Sequence, residues 1–159
     1  MKNILFDDDA RAKLLEGIRL MSKAVKSTLG PLGGTTLIES NAHTAGITVT
    51  KDGVTVAKSI SFDDRVMNLA VRIMREAAER TASVAGDGTT TSTILARALV
   101  NGAHKYITAG ANPIDLKRGM DKATDAIVNN LKSLSRPIES QEDIEHIATI
   151  AANNDSTIG

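Results

Sequence analysis

The chain has 159 residues, 42% of them hydrophobic and 24% charged, which suits a globular domain large enough to bury a core of its own. Nineteen basic residues balance nineteen acidic ones and aromatics reach only 2%, so neither a cationic footprint nor a stacking surface points to nucleic acid. Without cysteine there are no disulfides, thiolate nucleophiles or cysteine metal sites, and His43, His104 and His146 fit no ligand spacing.

The opening MKNILFDDDA has too short an apolar run for a signal peptide, and no segment approaches the ~18 apolar residues of a membrane span. The expectation is a soluble, cytoplasmic protein with no membrane or nucleic-acid partner. NILF (3–6) reads as a short strand, with Asp7, Asp8 and Asp9 as candidate helix caps. Leu14, Ile18, Met21, Val25 and Leu29 recur at helical spacing until Gly30-Pro31. TTLIE (35–39) and GITVTK (46–51) read as strands around a loop. VTVAKSI (54–60) alternates like a strand, while Asp52 before it would equally cap a short helix.

Four further helices follow. Around 64–85 the expected stripe is Val66, Leu69, Ile73 and Ala77, stopped by Gly86; around 89–109 it is Ile94, Leu95, Ala98, Leu99, Ala103 and Ile107. Asn112 and Pro113 open a third helix, with Leu116, Met120, Ile127, Leu131 and Leu134 on one face. Ser140 and Asp143 form a capping box for a fourth, carrying Ile144, Ile147 and Ala148. Asp155 is placed to cap another helix just before Gly159, so the expectation is a piece of something longer.

The segment AGDGTTTSTILARALV (85–100) sets a puzzle, because its helix opens on Thr89, Thr90, Thr91, Ser92 and Thr93, which are mediocre helix formers. One reading is a phosphate site. First-turn N–H groups and threonine hydroxyls would surround an anion, Gly86 and Gly88 would allow close approach, and Asp87 would meet the phosphates through Mg²⁺. The other is a well-capped helix with Asp87 or Thr89 as the cap. TLGPLGG (28–34) and TKDG (50–53) are weaker candidates, a nucleotide-approaching turn and a second carboxylate, Asp52. Alone, each also reads as an ordinary stop or cap. No Walker-type phosphate loop is present.

In this order, TLGP (28–31), TVTKDGVTVA (48–57), AGDGTTTSTILA (85–96), AGANPIDLKRGMDKA (109–123) and TIAANND (149–155) resemble the corresponding segments of the group I chaperonins, the bacterial GroEL-like family. The resemblance covers nearly the whole chain. It implies a mainly α fold, the helical equatorial domain of a chaperonin with a small β hairpin or edge strands, incomplete in this chain. Residues 1–135 would be the first half of the equatorial ATP-binding domain and 136–159 the start of the intermediate hinge domain, with the apical domain and C-terminal equatorial half absent.

The same likeness implies ATP, Mg²⁺ and a monovalent cation, K⁺ being the candidate. Thr28, Leu29, Gly30 and Pro31 would line the nucleotide pocket, and Lys51 would sit by the phosphates and that cation. Asp87, Gly88, Thr89, Thr90 and Thr91 would hold the phosphates, with Asp87 on the metal. Asp52 would orient the hydrolytic water. Implied partners are a homo-oligomeric ring, non-native polypeptide clients and, as an option, a co-chaperonin. NILF would pair with a neighbouring subunit.

Leu32 and Gly34 stand where the family usually has Lys and Arg, the ESNAHTAG loop is slightly long, and Ala151 and Asn154 replace Ser, which marks a divergent member. For the chain by itself three roles are expected to compete: an ATP-binding chaperonin segment, a stand-alone hydrolase, and a non-catalytic module that co-assembles with full-length rings. Half of a discontinuous domain is expected to be molten or self-associated, since its apolar stripes lack partners.

Overall fold

The computed structural model describes residues 4–30, 33–39, 46–152 and 155–158. In chain order the elements are α1 (Asp7–Lys26), β1 (Thr36–Glu39), β2 (Ile47–Thr50), α2 (Gly53–Ser59), α3 (Arg65–Ala85), α4 (Thr89–Thr108), α5 (Pro113–Leu134) and α6 (Gln141–Ala151). The fold is mainly α with one antiparallel hairpin, as the sequence predicts. Contacts divide it into two units, Met1–Ala111 and Asn112–Gly159.

In the first unit α1 packs on α3 and α4, α3 on α4, and the short α2 touches all three. The core cluster is Met21, Val25, Val56, Ala57, Val71 and Met74, with Ile38, Phe62 and Ala96 packed against it. α1 and α3 cross closely at Gly17, where a Cβ would lie 2.7 Å from the Met67 carbonyl oxygen, so only hydrogen fits. β1 and β2 pair Thr36 with Thr50, Leu37 with Val49, Ile38 with Thr48 and Glu39 with Ile47. Alternation turns Ile38 to the core and leaves Leu37, Ile47 and Val49 exposed.

Several local expectations change. Ile4, Leu5 and Phe6 form no strand, and Phe6 is the α1 N-cap with no side-chain cap bond; Asp7, Asp8 and Asp9 lie in the first turn instead. Asn3 lies outside the described residues. α1 ends at Lys26, before Leu29, because the Ser27 and Thr28 hydroxyls donate to the last carbonyls, those of Ala24 and Val25. The ambiguous VTVAKSI becomes helix α2, decided by the Asp52 cap.

The buried stripes are also rotated from those expected. α3 buries Ala70, Val71, Met74 and Ala78 while Leu69 and Ile73 are exposed. At the close approach of α1, Gly17 meets Ala70 on α3, where a larger side chain would not fit. In α4, Thr89 and Thr93 are buried and Leu95 and Leu99 exposed. Thr93 donates to the Thr89 carbonyl, 2.9 Å away, so its hydroxyl is satisfied and it can be buried without cost to the core.

The second unit holds α5 and α6. Asn112 accepts from the Ile114 amide with Pro113 in the first turn, and Ser140 and Asp143 form the expected capping box. Neither helix has a buried residue.

Candidate functional site

Three connections of the first unit meet at one place: the turn after α1, the entry to α2 and the entry to α4. Strand β2 delivers Lys51 and Asp52 to α2, and the Thr50 hydroxyl accepts from the Asp52 amide at 3.0 Å. Gly53 is buried, and a Cβ there would collide with Thr90 Oγ1 and crowd Thr89 Oγ1. Glycine is therefore needed for space, and α2 starts directly against the first turn of α4. From the other side Thr28 Oγ1 lies 3.2 Å from Thr90 Oγ1. Thr28 gives its proton to the Val25 carbonyl at 2.8 Å, so Thr90 is the donor between the two hydroxyls.

The start of α4 differs from every other described helix start. Its N-cap is Gly88 in the left-handed region, φ 84°, and no side chain caps it. The Asp87 carboxylate turns back to accept from the Gly88 amide at 2.6 Å, rather than from the first turn of the helix. α2, α3, α5 and α6 are capped by Asp52, Asp64, Asn112 and Ser140. α1 also lacks a cap bond, but three aspartates fill its first turn, whereas α4 has no acidic residue there. The capped-helix reading of Asp87 or Thr89 therefore fails, and the N–H groups of Thr89, Thr90 and Thr91 carry the positive helix end with no acidic residue in that turn. Gly86, φ 75°, completes a double left-handed turn that brings the chain round to them.

Asp52 is already engaged. Its Oδ1 accepts from the Val54 amide at 3.1 Å, and Oδ2 from the Thr55 amide at 2.9 Å and the Thr55 hydroxyl at 2.6 Å. Burial works against its charge, but the Thr55 hydroxyl and amide, the Val54 amide and nearby Lys58 outweigh it and hold the carboxyl below its ordinary 3.8. Such a group stays ionised and can accept a further hydrogen bond or touch a cation; it is a poor proton acceptor.

Of the expected site residues, Thr28, Asp52, Thr89 and Thr90 thus share one junction, directly or through Gly53. Asp87, Gly88 and Thr91 adjoin it in sequence, and Asp87 and Thr91 are exposed. Leu29 and exposed Gly30, φ 80°, follow Thr28 in the turn, and Lys51 is exposed beside Asp52. Pro31 lies outside the described residues. Among the described residues no group of three or more His, Cys, Asp or Glu could hold a metal by itself. The carboxylates at or beside the junction, Asp52 and Asp87, suit Mg²⁺, which takes one or two carboxylates and completes its shell with phosphate oxygens and water. Gly53 stood inside the TKDG stretch (50–53), but its own role, leaving room for Thr90, carried no signal apart from Asp52.

The geometry is thus a packed set of helices in which the α4 start, without a side-chain cap or an acidic first turn, lies against the Asp52–Gly53 turn, an arrangement able to receive an anion. Residues 21–158 match the TCP-1/cpn60 chaperonin family, and the chain belongs to that family. Among solved structures it is similar to the chaperonin gp146 from bacteriophage EL 2 (Pseudomonas aeruginosa), determined in the presence of ATP-BeFx. The TM-score is 0.76 at 28% identity, over 93% of this chain and 26% of that one. The chain thus spans about a quarter of that chaperonin's length.

Proposed function

We propose that this chain is the N-terminal part of a bacterial group I chaperonin subunit, which in its complete form binds and hydrolyses Mg-ATP in a homo-oligomeric ring to drive folding of non-native polypeptides. Residues 1–135 belong to the equatorial ATP-binding domain and 136–159 begin the hinge domain, in a cytoplasmic protein. The observation that carries the reading is the uncapped, acid-free start of α4, set against Thr28 and the Asp52–Gly53 turn. In it the amides of Thr89, Thr90 and Thr91 and their hydroxyls take the phosphates, and Thr28, Leu29, Gly30 and Pro31 border the nucleotide. Lys51 contributes charge beside the phosphates and a monovalent cation. Magnesium, when bound, neutralises charge between Asp87 and the phosphate oxygens.

Phosphoryl transfer to water is mostly a matter of positioning and charge. Asp52, ionised and fixed by its helix, orients the attacking water by accepting one of its hydrogen bonds. Its depressed pKa makes it a weak base, which argues against a stand-alone hydrolase built on Asp52. Calorimetric titration of Mg-ATP into the chain and its Asp87→Ala variant tests the reading. Saturable binding that weakens by about tenfold or more on substitution is expected, as loss of a metal carboxylate does. Equal affinity in both proteins would sink it.

A further inference from the structure

The clearest feature outside the site is a half-buried arginine holding the far end of α2. Resting on the nucleotide reading above, we propose that Arg75 is the positioning residue for Asp52: from α3 it clamps the C-terminal end of α2, and through that short helix holds Asp52 and Gly53 against Thr89 and Thr90.

α2 has seven residues, so it is a strut of about 10 Å with the site at one end. At the other end the backbone becomes extended at Ile60, leaving the last carbonyls without helical partners. Arg75 Nη2 donates to the Ile60 carbonyl at 2.8 Å and Nε to the Ala57 carbonyl at 3.3 Å. A planar guanidinium can meet two carbonyls at once, and its charge lies at the negative end of the helix dipole. Buried Val56 and Ala57 fix which face of α2 meets the core. Apolar packing resists sliding along the axis poorly, whereas two directional hydrogen bonds stop it. A further polar link between α2 and α3, Lys58 with Glu79 at 3.8 Å, joins two exposed side chains and contributes little.

The choice of α3 as the anchor has a consequence. α3 runs directly into Gly86 and Asp87, so the helix that carries the Asp87 turn also sets the position of Asp52. One rigid element references both carboxylates, and a change in its pose would move them together.

The test uses the full 159-residue chain with Arg75→Ala and Arg75→Lys. Amide resonances of Gly53, Thr89 and Thr90 report the junction, and those of Gly17 and Ala70 report the α1–α3 crossing. In Arg75→Ala the junction resonances should shift while Gly17 and Ala70 stay in place, and Mg-ATP affinity should fall about tenfold, the low end for partners that orient a metal–phosphate site. Arg75→Lys, which keeps the charge and one donor group, should recover part of both effects. Unmoved Gly53 and Thr90 resonances in Arg75→Ala would overturn the assignment, as would shifts equally large at Gly17 and Ala70. The resonances are read without nucleotide, so failure of the unsubstituted chain to bind Mg-ATP would strike the nucleotide reading alone.

Discussion

α1 and α5 are nearly the same length, 20 and 22 residues, and both carry an apolar stripe, yet they end in opposite conditions. α1 has the poorer start, without a cap bond, and buries Gly17, Met21, Ser22 and Val25. α5 has Asn112 as cap and Pro113 in its first turn, and buries nothing; Ile127, Leu131 and Leu134 are all more than half exposed. Local signals decide where a helix begins. What it buries depends on partners elsewhere in the chain, and among the described residues of the unit Asn112–Gly159 none buries a face of α5.

Substitutions at matched apolar positions break this comparison most directly. Met21 is fully buried in the first unit, so Met21→Ala should cost about 2–5 kcal/mol of that unit's stability. Leu131 is 59% exposed, so Leu131→Ala should change stability by no more than about 0.5 kcal/mol. Urea melts followed by circular dichroism would measure both. A comparable loss from Leu131→Ala would mean that α5 has a buried partner in solution, such as a second copy of the chain.

A smaller effect is expected where the first unit is tightest. Gly53→Ala drives a methyl into Thr90 Oγ1, and overpacking of this kind costs about 1–3 kcal/mol. Adding Thr90→Ala removes the hydroxyl in the way, so the double variant should recover at least half of the loss. A double-mutant cycle with no coupling would show that α2 does not press on α4 as described.

Much of this organisation was legible in the sequence because it is local. Asn112-Pro113, the Ser140–Asp143 box and the Gly86 stop rest on capping chemistry within a few residues, and all three hold. The crowding of hydroxyls at 89–93 also flagged its own oddity, and the start of α4 has neither a side-chain cap nor an acidic residue in its first turn. What was not legible is tertiary. Leu69, Ile73, Leu95 and Leu99 look like core by hydropathy but are exposed, while Ala70, Ala78 and Thr93 take their place. Close approach of α1 at Gly17 rewards small residues, and hydropathy cannot register that. Asp52 shows the mixture well, since it is both the helix cap and a member of the site junction. Arg75 was invisible for a simpler reason: its partners, Ala57 and Ile60, offer backbone carbonyls, which every residue has.

The gentlest probe of the contrast is pH, because α6 relies on its cap where the first unit relies on packing. The Ser140 hydroxyl, chiefly, with the Glu139 and Ser140 amides and the charge of His146, holds the Asp143 carboxyl below its ordinary 3.8. A carboxylate depressed in the folded state contributes above its unfolded pKa and loses that contribution as pH falls through the folded value. Amide protection in α6 should therefore be constant above about pH 5 and fade progressively below 3.8, while Met21 and Val25 in the first unit stay protected further into acid. Asp143→Asn should flatten the acid response of α6 without touching the first unit. Simultaneous loss of α6 and core protection at one pH would show instead that the two units unfold as one, and that the core governs α6 as well.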